Sequence, residues 1–387
     1  MKFQGTGSNY DSRWALKQLF ARGNAQDTRT LTSTLEKTYG GRAFLFSKGR
    51  NALSEAVRLS LEEGSDRVIV NGMTCSVVVD AINAAGGKPV FVDVSPDTAH
   101  FDPTTAINLI TSSHDISAVI VQNTFGRTID IAELEKAARE RNVLLIEDLA
   151  HCIGETYPDG RLAGTVGDLV MLSFGRDKAL DIVNGGALIV RSPHLLRATH
   201  QPAKSPTLLD QLRNRTFPLW SILVRKTYEM GFGRYLLSGI YRLGFAVKSS
   251  DGTIERNEKM AHWQAKLATI RFVQLAEAKR RRDTLVRVYQ ESLGSTLISA
   301  DGSLRVALHA KQRDEALGEL RESGYNLDDI WYDRPIGPAR KYDPSTYPES
   351  NCPHSLRLAG LIINLPTHQE ITTADAKRIA GIVKKYV

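Results

Sequence analysis

The chain has 387 residues, of which 42% are hydrophobic and 24% are charged, and its formal net charge is +7. This length suits about two domains, and no apolar stretch approaches the roughly 18 residues that a membrane-spanning helix needs. Cys75, Cys152 and Cys352 are too few and too scattered to predict a disulfide framework or a zinc site. The N-terminus has no apolar segment typical of a secretion signal, so we expect a cytoplasmic protein without a metal site.

Short apolar runs alternate with amphipathic segments from about residue 40 to residue 200. The predicted strands are residues 42–46, 67–71, 89–92, 117–122, 143–147, 169–174 and 187–190. Helical patterns between them include Asn51–Leu61, Val77–Ala85 and Ile131–Glu140. Continuously apolar strands that alternate with helices predict an α/β fold with a mostly parallel central sheet sandwiched by helices.

The C-terminal part predicts a smaller α+β domain. Its elements are a helical pattern at 258–293, an apolar run at 303–310, a helix near 311–323, a run at 361–366 and a last helix capped at Thr372 or Thr373. We therefore predict a large domain over residues 1–255 and a small domain over residues 256–387.

Three polar stretches follow predicted strands, where functional side chains of α/β sheets collect. Residues 47–51 (Ser-Lys-Gly-Arg-Asn) join a strand to a helix, a junction that can bind an anion or form a plain turn. Asp148 ends another strand and precedes His151, and it can either cap a helix or hold a proton on a heteroaromatic nitrogen. Ser173 ends a third strand, five residues before Lys178.

Together these stretches match the needs of pyridoxal phosphate. Singly, each has an ordinary structural interpretation as a turn, a helix cap or a solvated lysine. The cofactor requires a helix N-terminus and a hydroxyl for its phosphate, a carboxylate for its pyridine nitrogen and a lysine for a Schiff base. The chain supplies all of them in order, so the sequence predicts a pyridoxal phosphate site.

Longer stretches resemble the DegT/StrS-type sugar aminotransferases, fold-type I pyridoxal phosphate enzymes that aminate keto-sugars, usually as sugar nucleotides. The stretches are GRAFLFSKGRNAL, NGMTCSVVVDAINAAGGKPVFVDV, VIVQNTFGRTIDI, LLIEDLAHCIG, LSFGRDKALDIVNGGALIV, RNEKMAHWQAKLATIRFVQL and LIINLPTHQEIT. They cover nearly the whole chain apart from the N-terminal region and residues 201–250. The resemblance implies ping-pong transfer of an amino group from glutamate to a keto-sugar, in the biosynthesis of cell-surface polysaccharides or of secondary-metabolite sugars.

The resemblance also implies roles for the residues nearest the chemistry. Lys178 would form the Schiff base and then move protons between the amino donor and the cofactor. Asp148 would pair with the pyridinium nitrogen, and His151 would lie beside the cofactor ring. Some relatives carry a histidine in place of the lysine and act as dehydratases, and Lys178 argues against that activity.

The phosphate of the cofactor has its own expected partners. By the same resemblance, Ser173 and the backbone at Gly49, Arg50 and Asn51 would bind it. The Arg50 side chain either adds a charged contact or points to solvent. Asn257 matches an asparagine that reaches the phosphate from the other subunit, which implies a homodimer with shared active sites.

One family feature is absent from the cofactor site. Related enzymes often place an aromatic ring on the cofactor just after the threonine that corresponds to Thr74, whereas this chain has Cys75 there. A thiol can contact a ring face but cannot stack on it. Cys75 is therefore predicted to contact the cofactor in a manner that differs from its relatives.

Residues 205–250 form an insertion that is both basic and aromatic. Residues 201–250 hold eight Lys or Arg and two acidic residues, so nearly all of the net charge of +7 lies there. The pattern predicts an extra helical pair that packs on a dimer or covers the active site. Alternatively, its basic and apolar residues dock peripherally on the inner face of an anionic membrane. No nucleic-acid-binding motif accompanies the basic residues, so we expect no nucleic-acid partner.

Two other functions stay open at the level of sequence. The chain could be a pyridoxal phosphate enzyme that acts on a ketone other than a sugar. It could also be a catalytically silent, membrane-associated binding protein with the same fold. The joint presence of Asp148, Ser173 and Lys178 favours an enzyme, because a silent scaffold has no need of all three.

Overall fold

The computed structural model describes residues 1–62, 65–95, 98–298 and 304–387. The strands are β1 (Lys2–Phe3), β2 (Arg42–Phe46), β3 (Arg67–Asn71), β4 (Thr74–Cys75), β5 (Lys88–Val92), β6 (Ile116–Gln122), β7 (Leu144–Asp148), β8 (Leu169–Ser173), β9 (Gly186–Val190), β10 (Arg305–His309), β11 (Tyr325–Asn326), β12 (Ile336–Gly337) and β13 (Ile362–Pro366). The α-helices are α1 (Ser12–Leu19), α2 (Ala25–Tyr39), α3 (Gly49–Glu62), α4 (Ser76–Ala85), α5 (Pro103–Ser112), α6 (Ala132–Glu140), α7 (Pro193–Ala198), α8 (Leu208–Tyr228), α9 (Gly233–Arg242), α10 (His262–Val273), α11 (Leu275–Leu293), α12 (Arg313–Glu322), α13 (Pro353–Leu361) and α14 (Thr373–Val383).

The central sheet has the strand order β2-β9-β8-β7-β6-β3-β5. Strand β9 is antiparallel to both of its neighbours, and the remaining pairs are parallel. Every residue of β6 is buried, as in a sheet that is covered on both faces. This confirms the predicted α/β fold class. Because β7 and β8 are parallel neighbours, Asp148 and Ser173 lie at the same edge of the sheet.

The predicted strands of the central sheet all form, each with bounds within one residue of the prediction. The predicted helical pattern at 258–293 is instead two helices, α10 and α11, which meet at Gln274. Thr372 caps the last helix, because its hydroxyl accepts a hydrogen bond from the Asp375 N–H at 3.2 Å. The predicted run at 303–310 contains strand β10, and its first residue, Ser303, lies outside the described residues.

The C-terminal part has its own hydrophobic core, whose buried members extend from Leu285 to Val383. Strands β10 and β13 pair antiparallel within it. Helix α10 belongs to the core of the large domain through Trp263 and Leu267. The short strand β1 pairs with β11, so the N-terminal residues contact the C-terminal part. The division between residues 255 and 256 stays a prediction.

Helices α8 and α9 form the predicted helical pair of the insertion. Helix α8 packs beside α1, where the side-chain amide of Gln18 donates to the Asn214 carbonyl at 2.7 Å. Arg215 donates to the Ala21 carbonyl at 2.7 Å, also across this contact. Within the described residues, no helix combines the length and apolarity needed to cross a membrane.

Candidate active site

A cavity of about 420 Å³ lies at the carboxyl edge of the central sheet. Its walls include the ends of β7 and β8, the first turn of α3 and the loop that follows β8. The predicted site residues that line it are Gly49, Arg50, Cys75, Asp148, His151, Ser173 and Lys178. Asn51 and Asn257 lie outside its wall.

Glycine at position 49 lets the start of α3 approach the edge of the sheet. A Cβ atom on Gly49 would lie 2.9 Å from both Cβ and Oγ of Ser173. A Cβ atom on Gly186 would lie 2.5 Å from the Gly49 Cα, and Gly186 pairs with Ser173 across β9 and β8. The first amide groups of a helix lack partners within the helix and carry partial positive charge. This corner therefore offers amides and a hydroxyl to an anion.

Asp148 is a buried carboxylate with one described hydrogen-bond donor. Its Oδ1 accepts from the Ala150 N–H at 2.9 Å. Burial raises the pKa of Asp148 to about 6, although the Ala150 N–H and the positive charge of Lys178 oppose the rise. A group that brings a proton or a positive charge to this carboxylate would stabilise its ionised form.

His151 is held as a neutral ring. Its Nδ1 lies 3.2 Å from the Phe125 N–H and accepts from it, which leaves the proton on Nε2. Burial lowers the pKa of His151 well below its usual value, and the charges of Lys178 and Arg305 lower it further. The imidazole stacks on the Trp331 indole with centroids 4.5 Å apart and planes at 16°. The ring is thus fixed and can donate from Nε2.

Lys178 has the environment of a reactive amine. Its Nζ lies 4.5 Å from the centroid of the Trp331 ring. Burial lowers the pKa of Lys178 below its usual value, while the negative charge of Asp148 opposes this shift. A lowered pKa increases the fraction of neutral amine, which is the nucleophilic form.

The backbone around Lys178 is fixed by the buried carboxylate of Asp181. This carboxylate accepts hydrogen bonds from the N–H groups of Asp177 at 2.8 Å and Val183 at 3.0 Å, and from the hydroxyl of Tyr10. Asp177 and Val183 have φ angles of 61° and 76°, which are strained for non-glycine residues and most of all for a branched one. The carboxylate thus holds the loop on both sides of the lysine.

Arg50 and Asn51 direct their side chains toward the segment that follows the insertion. The Arg50 guanidinium donates to the backbone carbonyls of Ser249 and Gly252, at the end of the insertion and just after it. Asn51 is buried; its Nδ2 donates to Ser47 Oγ at 3.0 Å and its Oδ1 accepts from the Glu255 N–H at 2.9 Å. Both side chains have structural partners, and a phosphate contact by the backbone at Arg50 and Asn51 stays a prediction.

Cys75 borders the cavity at the start of α4, and the aromatic ring in the site comes from another part of the chain. Burial raises the pKa of the Cys75 thiol, which keeps it neutral. Trp331 lines the same cavity, and its backbone N–H donates to Asn364 Oδ1 at 2.6 Å. The Arg305 guanidinium lies 4.1 Å from the centroid of the same Trp331 ring. The only signal for this ring in the sequence is the pair Trp331-Tyr332 in an otherwise polar stretch.

The wall of the cavity contains further residues that the sequence pattern does not predict. Ser250 and Arg340 both line it. Arg340 donates to Asp251 Oδ1 at 2.5 Å and to the Ser250 hydroxyl. The end of the insertion therefore lines the cavity, and the role of its helical pair stays a prediction.

Asn257 is exposed and lies away from the cavity of its own chain. Its Oδ1 accepts from the Ala203 N–H at 2.9 Å, and its carbonyl accepts from Lys204 at 2.8 Å. These contacts fix the loop at the surface. Its reach into a second subunit stays a prediction.

Comparisons with known proteins identify the family. The profile of the DegT/DnrJ/EryC1/StrS aminotransferase family matches residues 35–384. The chain belongs to this family. It is 26% identical to dTDP-3-amino-3,4,6-trideoxy-alpha-D-glucose transaminase of Micromonospora megalomicea subsp. nigra, over 86% of this chain and 83% of that protein. It is 25% identical to GDP-perosamine synthase of Caulobacter vibrioides, over 87% of this chain and 83% of that protein.

Solved structures share the fold of this aminotransferase. DesV of S. venezuelae superposes with a TM-score of 0.73 at 19% identity, covering 100% of this chain and 97% of that chain. The PLP-form of Spr1654 from Streptococcus pneumoniae superposes with a TM-score of 0.72 at 18% identity, covering 97% of this chain and 96% of that chain.

The residues of the cavity fit pyridoxal phosphate. The Gly49–Ser173 corner suits its phosphate, the buried Asp148 suits a protonated ring nitrogen, and Lys178 suits the aldehyde carbon. Across the described residues, no three His, Cys, Asp or Glu side chains come together in a group that could hold a metal ion. The enzyme is a pyridoxal phosphate-dependent aminotransferase.

Proposed function

We propose that this aminotransferase moves an amino group from glutamate to a keto-sugar carried on a nucleotide, by ping-pong half-reactions. The observation that carries the proposal is the convergence of Lys178, Asp148 and Ser173 on one cavity in a chain of this family. The relatives that act on dTDP- and GDP-linked sugars support the substrate class. The product would serve cell-surface polysaccharide or secondary-metabolite sugar biosynthesis.

Bound pyridoxal phosphate supplies an electron sink for the carbon that loses or gains a proton. Ser173 Oγ and the amides at Gly49 and Arg50 would hold its phosphate at the N-terminus of α3. The Asp148 carboxylate would keep a proton on the ring nitrogen, and the desolvation that raises the pKa of Asp148 strengthens that pairing. The Nε2–H of His151 would donate to an oxygen of the ring.

Lys178 would attach to the cofactor through Nζ and, once displaced by the amino donor, would move protons with the same atom. Both tasks need the neutral amine for part of the cycle, and burial favours that form. The Asp181 carboxylate would position the loop rather than react, because it accepts hydrogen bonds from the N–H groups of Asp177 and Val183 and from the Tyr10 hydroxyl. The stack of His151 on Trp331 would exclude water from one side of the site.

We also propose a homodimer in which Asn257 contacts the cofactor phosphate of the partner subunit. The exposure of Asn257 and the fixed loop around it support this role. A dimer would then be the smallest complete unit of the enzyme.

The half-reactions can be separated by absorbance. Glutamate should convert the lysine-bound cofactor to its amine form and shift the visible band to shorter wavelength. Keto-sugar nucleotides are then added singly, and the correct acceptor should restore the original band. A simple non-sugar ketone that restores the band better than any keto-sugar would overturn the sugar assignment, and a purified protein without cofactor absorbance would favour a silent scaffold.

The insertion surface is the best candidate for a membrane contact. It exposes large apolar side chains on α8, α9 and the segments that flank α9: Leu208, Leu209, Leu212, Leu223, Met230, Phe232, Tyr235, Leu243, Phe245 and Val247. The four on α8 fall within an arc of about 100° on one side of the helix. Leu16 and Phe20, on and next to the neighbouring α1, are also exposed.

Basic side chains accompany these apolar residues. Four exposed basic residues lie on α8 and α9 or beside them: Lys226, Arg234, Arg242 and Lys248. The exposed acidic residue Glu229 lies among them and pairs with the N-terminal ammonium. Apolar groups that insert shallowly beside basic groups match the surface of an anionic membrane. We propose that the insertion surface docks there and brings the enzyme to membrane-bound steps of sugar assembly.

Replacing Phe232 and Leu243 together by serine should weaken binding to vesicles of phosphatidylglycerol and phosphatidylcholine by roughly tenfold or more, given the apolar area lost. Sedimentation with vesicles at low and high salt measures this, and salt should weaken the wild-type binding. Val273→Ser is the matched control, because Val273 is 79% exposed and belongs to α10, outside the insertion. Equal loss in the control, or a double variant that changes only self-association, would overturn the membrane proposal.

A further inference from the structure

A second pocket of about 300 Å³ lies on another side of the Lys178 loop. Five parts of the chain enclose it: the N-terminal turn, the loop at residues 177–181, one side of α10 and α11, the start of β10, and the loop after β13. Lys178 and Arg305 also belong to the surroundings of the active-site cavity, so the two sites are close neighbours. None of the roles proposed for the cofactor uses the helical side of this pocket.

The helical side carries a regular set of residues. Arg271, Gln274, Ala278, Arg281 and Arg282 line the pocket. These residues recur every three or four positions, so they lie along one side of the helical segment. The small side chain at position 278 leaves space between the arginines. The result is a concave surface rich in hydrogen-bond donors.

Two buried polar side chains in this pocket have atoms without a hydrogen-bond partner. Arg282 is 9% exposed, its Nε has no hydrogen-bond partner, and it makes no ion pair within 4.0 Å among the described residues. Gln4 is 2% exposed, and both atoms of its side-chain amide lack partners. The Nε of Arg271 is also unpartnered. Buried donors without acceptors are costly, so these groups gain most from a ligand that supplies acceptor oxygens.

The acidic groups of the pocket do not neutralise these arginines. Asp181 is occupied by hydrogen bonds from the protein, as described for the Lys178 loop. Asp177 lies 3.6 Å from Arg305, which also pairs with Asp329 at 2.6 Å. Glu277 is exposed.

Glu155 and Asp283 also attract the Arg282 guanidinium, and their charges partly offset the effect of its burial on its pKa. Both carboxylates form ion pairs with Lys279, at 3.0 Å and 3.3 Å, whereas neither comes within 4.0 Å of Arg282 among the described residues. Arg282 therefore stays available to a ligand, whereas the Arg271 guanidinium already lies 3.6 Å from the centroid of the Trp14 ring.

From these contacts we infer that the pocket binds a small anion through a carboxylate or phosphate group, with Arg282 as its main partner. Arginine binds such groups through paired, charged hydrogen bonds. Two sources of this chemistry fit the position beside Lys178: the carboxylates of the amino donor and free phosphate. The first source rests on the proposed function, whereas the anion site itself does not.

Calorimetry on the cofactor-loaded enzyme tests the site without requiring turnover. Inorganic phosphate and glutarate, a dicarboxylate that cannot transfer an amino group, are titrated separately. At least one should bind the wild type, and Arg282→Gln should weaken that binding roughly tenfold or more, as expected for loss of a charged hydrogen bond. Arg280→Gln is the matched control, because Arg280 is an exposed neighbour outside the pocket wall.

A second variant separates a folding defect from a lost site. Ala278→Leu keeps every charge and should block the pocket by volume, giving a similar loss of binding. If Arg282→Gln also raises the KM for glutamate, the anion that binds this pocket is a carboxylate of the amino donor. If the variant loses only phosphate binding, the anion is free phosphate. Absence of binding to the wild type, or equal binding by Arg280→Gln and Arg282→Gln, would overturn the inference even if the enzyme is an active sugar aminotransferase.

Discussion

Replacing Lys178 by alanine should lower kcat by roughly 10⁴-fold or more, because one amine supplies both the covalent attachment and the proton transfers. The same variant should lose the absorbance band of lysine-bound cofactor. It should still fold, since the loop is held by the Asp181 carboxylate and not by the lysine side chain. Steady-state kinetics and a visible spectrum measure both effects.

A second lysine in the cavity wall gives this prediction its control. Lys48 lines the cavity beside Gly49, and its Nζ lies 3.4 Å from the Thr253 carbonyl. Borohydride reduction of the wild type followed by peptide mass spectrometry should find the cofactor on Lys178 and not on Lys48. A Lys178→Ala enzyme that stays coloured and active, or a cofactor found on Lys48, would show that the assignment is wrong.

The strands of the central sheet could be predicted because they are apolar along their length and lie between amphipathic helices. The order of those strands in a parallel sheet also brings Asp148 and Ser173 to one edge, since both end parallel strands. Lys178 could be added from its position five residues after Ser173. The break between α10 and α11 at Gln274 could not be predicted, because the sequence continues to favour a helix on both sides.

The rest of the site depends on contacts between distant segments. Trp331 reaches His151 from a C-terminal loop that has no regular pattern in the sequence. The partners of Arg50 are backbone carbonyls at the end of the insertion, and carbonyls leave no mark in a sequence. The pocket around Arg282 likewise depends on how α11 packs against the N-terminal turn.

Replacing Asp148 by asparagine should lower kcat by roughly 10²–10³-fold, the usual cost of removing one preorganised charged group. The amide cannot hold a proton on the ring nitrogen as a carboxylate does. Its oxygen can still accept from the Ala150 N–H, so the local backbone should keep its structure. Kinetics with saturating donor would measure the loss, and an unchanged kcat would contradict the proposed role.

The same substitution should stabilise the protein once the cofactor is removed, and this effect should depend on pH. Burial raises the pKa of Asp148 to about 6 from an unfolded value of 3.8, so the wild type loses stability as pH rises through 6 while the variant does not. As pH rises from about 4.5 to about 8, the free energy of unfolding of Asp148→Asn should rise by about 2 kcal/mol relative to that of the wild type. Denaturant unfolding of both cofactor-free proteins tests this, with Glu140→Gln as an exposed carboxylate control. If the difference in free energy of unfolding between Asp148→Asn and the wild type stays constant with pH, Asp148 is not desolvated. If the difference widens as pH rises, the charge needed for catalysis is held at the expense of stability.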